Sequence, residues 1–216
     1  MTEPITIDVW SDIACPFCYI GKRKLESAVA SSGVPVDIVY HSFELDPNAA
    51  ESGAGEHAAK LAQKMGVSVE EAEEMGRRMV AAGAEVGLAM DYSRVQGTKT
   101  IKAHELLHYA KGHGLQSAMK ERLLSAYFAE GVNVGQIEAL ADLAAEIGLD
   151  RADVVRSLSA EEHLPAVRAD LRQAQEYGIQ GVPFFVLDGK HAISGAQEPA
   201  TFERALKQVQ SERVSA

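Results

Sequence analysis

Two cysteines are the whole thiol complement of this 216-residue chain, and they stand close together in Cys15-Pro16-Phe17-Cys18. At positions i and i+3 of a helical turn, two sulfurs share one face and can serve one site. That spacing suits thiol–disulfide exchange, in which one sulfur attacks a partner and the other resolves the mixed disulfide. A helix opening at Pro16 would set unpaired backbone N–H groups beside Cys15 and favour a thiolate there. A disulfide closing so short a loop would add little chain-entropy stabilisation, and two cysteines make no disulfide framework. The rival chemistry is a structural zinc site. Zinc wants four ligands, and the chain has no second Cys-x-x-Cys and no His-x-x-x-His following the pair across a short loop. No metal is expected.

A second pattern invites metal chemistry, His104-Glu105-Leu106-Leu107-His108. It matches H-E-x-x-H, in which two helical histidines hold zinc and the glutamate activates water. Any amphipathic helix with histidines at i and i+4 meets that spacing. The extended form of the motif would need Gly at 111 and His at 114, where this chain has Lys111 and Gly114. Glu130 could be imagined as a third ligand, but nothing in the sequence singles it out. The match reads as coincidental.

The elements that must position the cysteines follow from patterning. Ile5, Ile7 and Val9 alternate with Thr6, Asp8 and Trp10, which predicts a strand over 5–10. After a turn over 11–14, residues 16–31 read as a helix with Pro in its first turn and Gly33 past its end. Residues 36–43, rich in β-branched and aromatic side chains, read as a second strand. Such a βαβ unit implies parallel strands and a right-handed crossover.

From Asp46 the character changes. A breaker at 46–48 and a Gly-rich turn at 51–55 lead into helical patterns over about 55–65, 68–86, 99–112, 115–130, 135–147 and 150–158. Ser68 with Glu71 resembles a capping box. Met65, Met75, Met79 and Met90 read as gap-filling core residues, with an adaptable substrate groove as the alternative. A further helix spans 161–177. Residues 181–187 then read as a buried strand with Pro183 at its entrance, Asp188-Gly189 as a hairpin turn, and 191–194 as the returning strand. A last helix over about 198–210 precedes a tail expected to fray. The fold class is therefore α/β, thioredoxin-like, with residues 1–45 and 160–216 forming the thioredoxin-like domain and 46–159 an all-helical insertion domain.

Composition limits the partners. Net charge is −10, from 21 Lys and Arg against 31 Asp and Glu. An acidic chain without a basic block is a poor ligand for a phosphate backbone, so no nucleic-acid partner is expected. No apolar run reaches membrane-span length, and no secretory leader is visible, so the expected location is cytoplasmic and no membrane partner is expected. In a reducing compartment Cys-x-x-Cys is more often redox-active than a staple.

With both ends of the chain in view, the sequence resembles the DsbA-like thioredoxin-fold oxidoreductases. The resemblance rests on Cys15-Pro16-Phe17-Cys18 after a first strand, an inserted helical block, and Gly178-Ile179-Gln180-Gly181-Val182-Pro183-Phe184-Phe185-Val186 near the C-terminus. Within that family it is most similar to the cytosolic FrnE-type branch, through this C-terminal run with Ile193-Ser194-Gly195-Ala196-Gln197 and through Thr100-Ile101-Lys102-Ala103-His104. The resemblance spans essentially the whole chain. It implies that Cys15 attacks, that Cys18 resolves, and that Val182-Pro183 is a cis peptide facing them; on its own, Pro183 would read as an ordinary trans proline. Pro16, Phe17, Val182 and Pro183 become the candidate substrate contacts. The strongly oxidising members carry His where this chain has Phe17, so a milder couple is implied. No cofactor is implied beyond the Cys15–Cys18 pair, with glutathione as a candidate co-substrate. The implied partners are thiols and disulfides of proteins or small molecules, and the sequence sets no oligomeric state.

Two other functions compete. The kappa-class glutathione transferases and 2-hydroxychromene-2-carboxylate isomerases look like this architecture, insertion included, but generally have Ser where Cys15 stands. A non-enzymatic zinc-binding or interaction module is the third reading.

Overall fold

The computed structural model describes residues 3–49 and 57–215. The Gly-rich turn expected over 51–55 lies outside them. The chain divides into two compact units, one formed by residues 1–45 with 167–216 and the other by 46–166.

The first unit is built on a four-stranded sheet in the order β2-β1-β3-β4. Strand β1 (Ile5–Ser11) lies parallel to β2 (Val36–Ser42) and antiparallel to β3 (Phe184–Leu187), which pairs antiparallel with β4 (His191–Ser194). Helix α1 (Pro16–Ser32) makes the crossover between the parallel strands and ends at Gly33, whose φ of 66° is the left-handed conformation that glycine adopts without cost. The β3–β4 turn has Asp188 and Gly189 both at positive φ, with the Lys190 N–H closing on the Leu187 carbonyl at 3.1 Å. That double positive φ is what the Asp-Gly pair supplies.

Alternation along β1 divides its side chains between two buried faces. Ile5, Ile7 and Val9 join Leu25 of α1 with Phe202 and Leu206 of the C-terminal helix in one core. Phe185 and Phe202 meet edge to face there, centroids 4.8 Å apart. Burying each such side chain contributes about 1.5–3 kcal/mol. On the opposite face Trp10, Ala174 and Ile179 form a second cluster with Phe43 and Phe184.

The second unit holds α2 (His57–Met65), α3 (Val69–Ala84), α4 (Ile101–Gly112), α5 (Gln116–Ser125), α6 (Ile137–Glu146) and α7 (Arg151–Ser159). The Ser68–Glu71 capping box forms at the start of α3, with the Glu71 N–H donating to Ser68 Oγ and the Ser68 N–H to Glu71 Oε2. Helix α5 runs on into a π-helical turn over Ala126–Glu130, so one continuous pattern at 115–130 covers two hydrogen-bonding registers. Of the four methionines named above, Met90 is buried and Met65 is half exposed.

Several boundaries differ from the sequence expectation; strand β3 starts at Phe184 rather than 181, residues 181–183 being bends. Helix α8 (Leu164–Glu176) starts later than 161 because Glu161 takes a left-handed φ of 54° and residues 160–163 turn instead. The contact boundary between the units falls at Val167, inside α8, rather than at 160. The last helix, α9 (Pro199–Ser215), continues through the tail expected to fray. Arg213 holds it there, donating to Asp188 and to the carbonyls of Glu3 and Pro4 at 2.9 and 3.0 Å.

Candidate active site

Cys15 is the N-cap of α1, with extended backbone (φ −102°, ψ 112°) and Pro16 in the first helical position. No side chain caps this helix end, and its first turn carries no acidic residue. The first turn of α1 therefore sets no negative charge against the positive end of the helix dipole at Cys15. The Cys18 N–H donates to the Cys15 carbonyl at 3.1 Å, which closes the turn linking the two cysteines. Both are buried, with 2% and 3% of their surface exposed, whereas Phe17 between them is 48% exposed.

Buried Asp12 fixes the turn that delivers Cys15 from β1. One carboxylate oxygen accepts the Ile13 N–H at 2.7 Å, and the other accepts the Leu45 N–H at 2.8 Å. One charge-assisted hydrogen bond thus holds the turn itself, and the other ties it to the chain leaving β2.

The far end of the chain completes the site. The Val182–Pro183 peptide bond is cis. The Cys15 thiol donates to the Val182 carbonyl at 3.5 Å, across 167 sequence positions. The Pro183 carbonyl in turn accepts the Gly195 N–H at 2.8 Å, which binds the strand entrance to the segment after β4. Cys15, Pro16, Phe17, Cys18, Val182 and Pro183 therefore belong to one unit, with the two motifs meeting at the Cys15 sulfur.

Trp10, which precedes the cysteines in sequence, belongs to the core instead. It is buried and stacks on His41 at 4.5 Å between ring centroids. His41 lies between two carboxylates, with Nε2 2.7 Å from Asp8 Oδ1 and Nδ1 2.9 Å from Asp170 Oδ1. Burial pushes the imidazole pKa down. The hydrogen bonds and charges of Asp170 and Asp8 outweigh that and raise it from 6.5 to about 8. Asp170 also accepts the Ser42 N–H at 2.8 Å, so one carboxylate ties α8 to β2. Sequence reading missed this network; the signal available was a histidine inside a strand rich in β-branched residues.

The H-E-x-x-H segment lies on α4. His104 and Glu105 are fully buried, and Glu105 Oε1 accepts from Lys102 Nζ at 2.9 Å. Among the described residues no three His, Cys, Asp or Glu side chains converge as a metal site.

Comparison with known proteins matches the DsbA-like thioredoxin domain to residues 6–207. The chain belongs to the DsbA-like thioredoxin family. It is 30% identical over 212 residues to YwbO, an uncharacterized protein of Bacillus subtilis (strain 168), covering 97% of this chain and 99% of that one. A crystal structure of a probable DsbA oxidoreductase from Streptomyces coelicolor superposes with a TM-score of 0.89 at 38% identity, over 96% of this chain and 91% of that one. More distant matches share the fold. The cytosolic disulfide reductase DsbM of Pseudomonas aeruginosa, solved with GSH, has a TM-score of 0.64 at 20% identity, over 95% of this chain and 99% of its own. A 2-hydroxychromene-2-carboxylate isomerase has a TM-score of 0.70 at 15% identity, over 97% of this chain and 98% of its own. Within this family the DsbA-like fold, with a four-stranded sheet and a helical insertion, is the one the sequence resemblance implies.

Proposed function

We propose that this protein is a cytoplasmic thiol–disulfide oxidoreductase of the FrnE-type branch, working through the Cys15–Cys18 pair on protein or small-molecule disulfides. The observation that carries the reading is Cys15 at the uncapped start of α1, with the Val182 carbonyl 3.5 Å from its sulfur. The helix end stabilises negative charge on Cys15 Sγ as exchange proceeds. The Cys15 thiolate attacks one sulfur of a substrate disulfide; that S–S bond breaks, the other substrate sulfur leaves as thiolate, and a mixed disulfide forms. The Cys18 thiolate then attacks Cys15 Sγ, forming the Cys15–Cys18 disulfide and expelling the second substrate thiolate. The substrate gains two electrons and the pair loses two. Two molecules of a thiol such as glutathione reset the pair by the reverse exchange, and the fold neighbour DsbM solved with GSH makes glutathione the first co-substrate to try. Cys18 lies in the first turn of α1, three residues after Cys15, within reach of the mixed disulfide that it would resolve. Phe17 exposes an apolar surface beside the sulfurs, and with Pro16, Val182 and Pro183 it forms the substrate contact in this reading.

Insulin reduction and oxidative refolding test it with three proteins. Cys15→Ser is expected to lose at least about a hundredfold in rate, since the other catalytic groups cannot replace the nucleophile. Cys18→Ser is expected to accumulate mixed disulfides with substrate. Full activity in Cys15→Ser would reject the mechanism. Glutathione conjugation surviving in that variant would instead support an isomerase or transferase.

A further inference from the structure

Gly21 stands in the middle of α1, where its backbone is ordinary helix and calls for no glycine. Apart from proline, glycine is the poorest residue for a helix interior, so another constraint must act at this position. A Cβ added to Gly21 would lie 2.9 Å from Pro183 Cγ and 3.4 Å from both Ala196 Cβ and Phe185 Cζ. The first distance is shorter than real Cβ contacts allow. The atom it meets belongs to a closed ring, which can give way only by changing its pucker or by moving as a whole. The strand entrance has little freedom of its own, because the Pro183 carbonyl holds the Gly195 N–H at 2.8 Å beside Ala196. Gly21 lies three residues after Cys18, so the helix surface beside Cys18 receives the proline while the Val182 carbonyl reaches Cys15.

We propose that Gly21 is a positioning residue: its missing side chain lets the Pro183 ring seat against α1 and so sets how closely the Val182 carbonyl approaches Cys15 Sγ. The proposal rests on the assignment of the site above. An added methyl displaces the ring, the ring carries the Val182 carbonyl with it, and the surroundings of the Cys15 sulfur change while the helix itself gains a better helix former.

The test is a cycle of Gly21→Ala and Pro183→Ala, with Gly112→Ala as control. Gly112 lies at the end of α4 with nothing within 4 Å of an added Cβ. All are made with Cys18→Ser, which leaves Cys15 as the single thiol. The readout is the rate of Cys15 alkylation by iodoacetamide well below the melting temperature. The parallel readout, with both cysteines kept, is the reduction potential in glutathione buffers. Gly21→Ala is expected to change the alkylation rate about three- to tenfold, less than the roughly hundredfold that a misplacement of about 1 Å can cost at a reacting centre. The control should leave it unchanged, and in the Pro183→Ala background the effect should vanish. If Gly21→Ala folds only together with Pro183→Ala, the contact is equally established. An unchanged rate and potential, an equal change in both backgrounds, or failure to fold in both would overturn the proposal, since Gly21 would then serve general packing. Alkylation needs no disulfide substrate. A protein without exchange activity would therefore reject the proposed function and still decide the role of Gly21.

Discussion

Phe17 separates the cysteines with a side chain that neither donates a hydrogen bond nor carries charge. In Phe17→His an imidazole beside the sulfurs would favour the reduced, thiolate-bearing form. The Cys15–Cys18 equilibrium against glutathione is expected to shift about tenfold toward the dithiol, a rise of roughly 30 mV in reduction potential. An unchanged potential would show that residue 17 does not set the couple, and a lower one would reverse the sign expected of the imidazole. His41 predicts a different dependence. Its pKa is raised from 6.5 to about 8 in the folded protein. Below about 6.5 the imidazolium exists in both folded and unfolded chains, and its contribution to stability is complete. That contribution falls away as pH rises through about 8, at a cost of about 1–2 kcal/mol. Urea unfolding at pH 6 and pH 9 should show this loss in the wild type and not in His41→Gln; equal pH slopes for the two would remove His41 as the cause.

At the scale of elements, local signals decided what the sequence could reveal. The capping box at Ser68 was legible because its two hydrogen bonds join residues three apart. Ser68→Ala should destabilise the start of α3 by about 1 kcal/mol, seen as faster amide exchange in its first two turns; unchanged protection there would mean the box adds nothing. The strands, the α1 start and the Asp188-Gly189 turn were legible for the same reason, since alternation, Pro16 and paired positive-φ residues all act within a few positions. The late start of α8 was not. Glu161 adopts a left-handed φ that its residue type does not advertise. The Asp8–His41–Asp170 network was hidden because its three members come from β1, β2 and α8 and share no spacing. Gly21 looked like an ordinary helix residue because the ring that requires it is 162 positions away (183 − 21). The cysteine pair itself was plain, while its meeting with Val182 came only through family resemblance.

Across the whole molecule, the first and last segments are bound to each other. Arg213 of α9 holds the hairpin tip through Asp188 and the start of β1 through the carbonyls of Glu3 and Pro4. Arg213→Ala is expected to speed amide exchange at the start of β1 and in the β3–β4 turn while leaving the Cys15 alkylation rate unchanged. Altered Cys15 chemistry in that variant would show that the clamp reaches the site. The sheet order has a consequence for synthesis. Strand β1 is central, yet its neighbours β2 and β3 are made at opposite ends of translation. The Cys15 codon is read 167 codons before that of Val182. At roughly 5–20 residues per second, the nascent chain waits on the order of ten to thirty seconds with that edge of β1 unpaired and the thiols lacking their opposing wall. If Cys15 is the nucleophile proposed above, it stands open in that interval to any disulfide within reach.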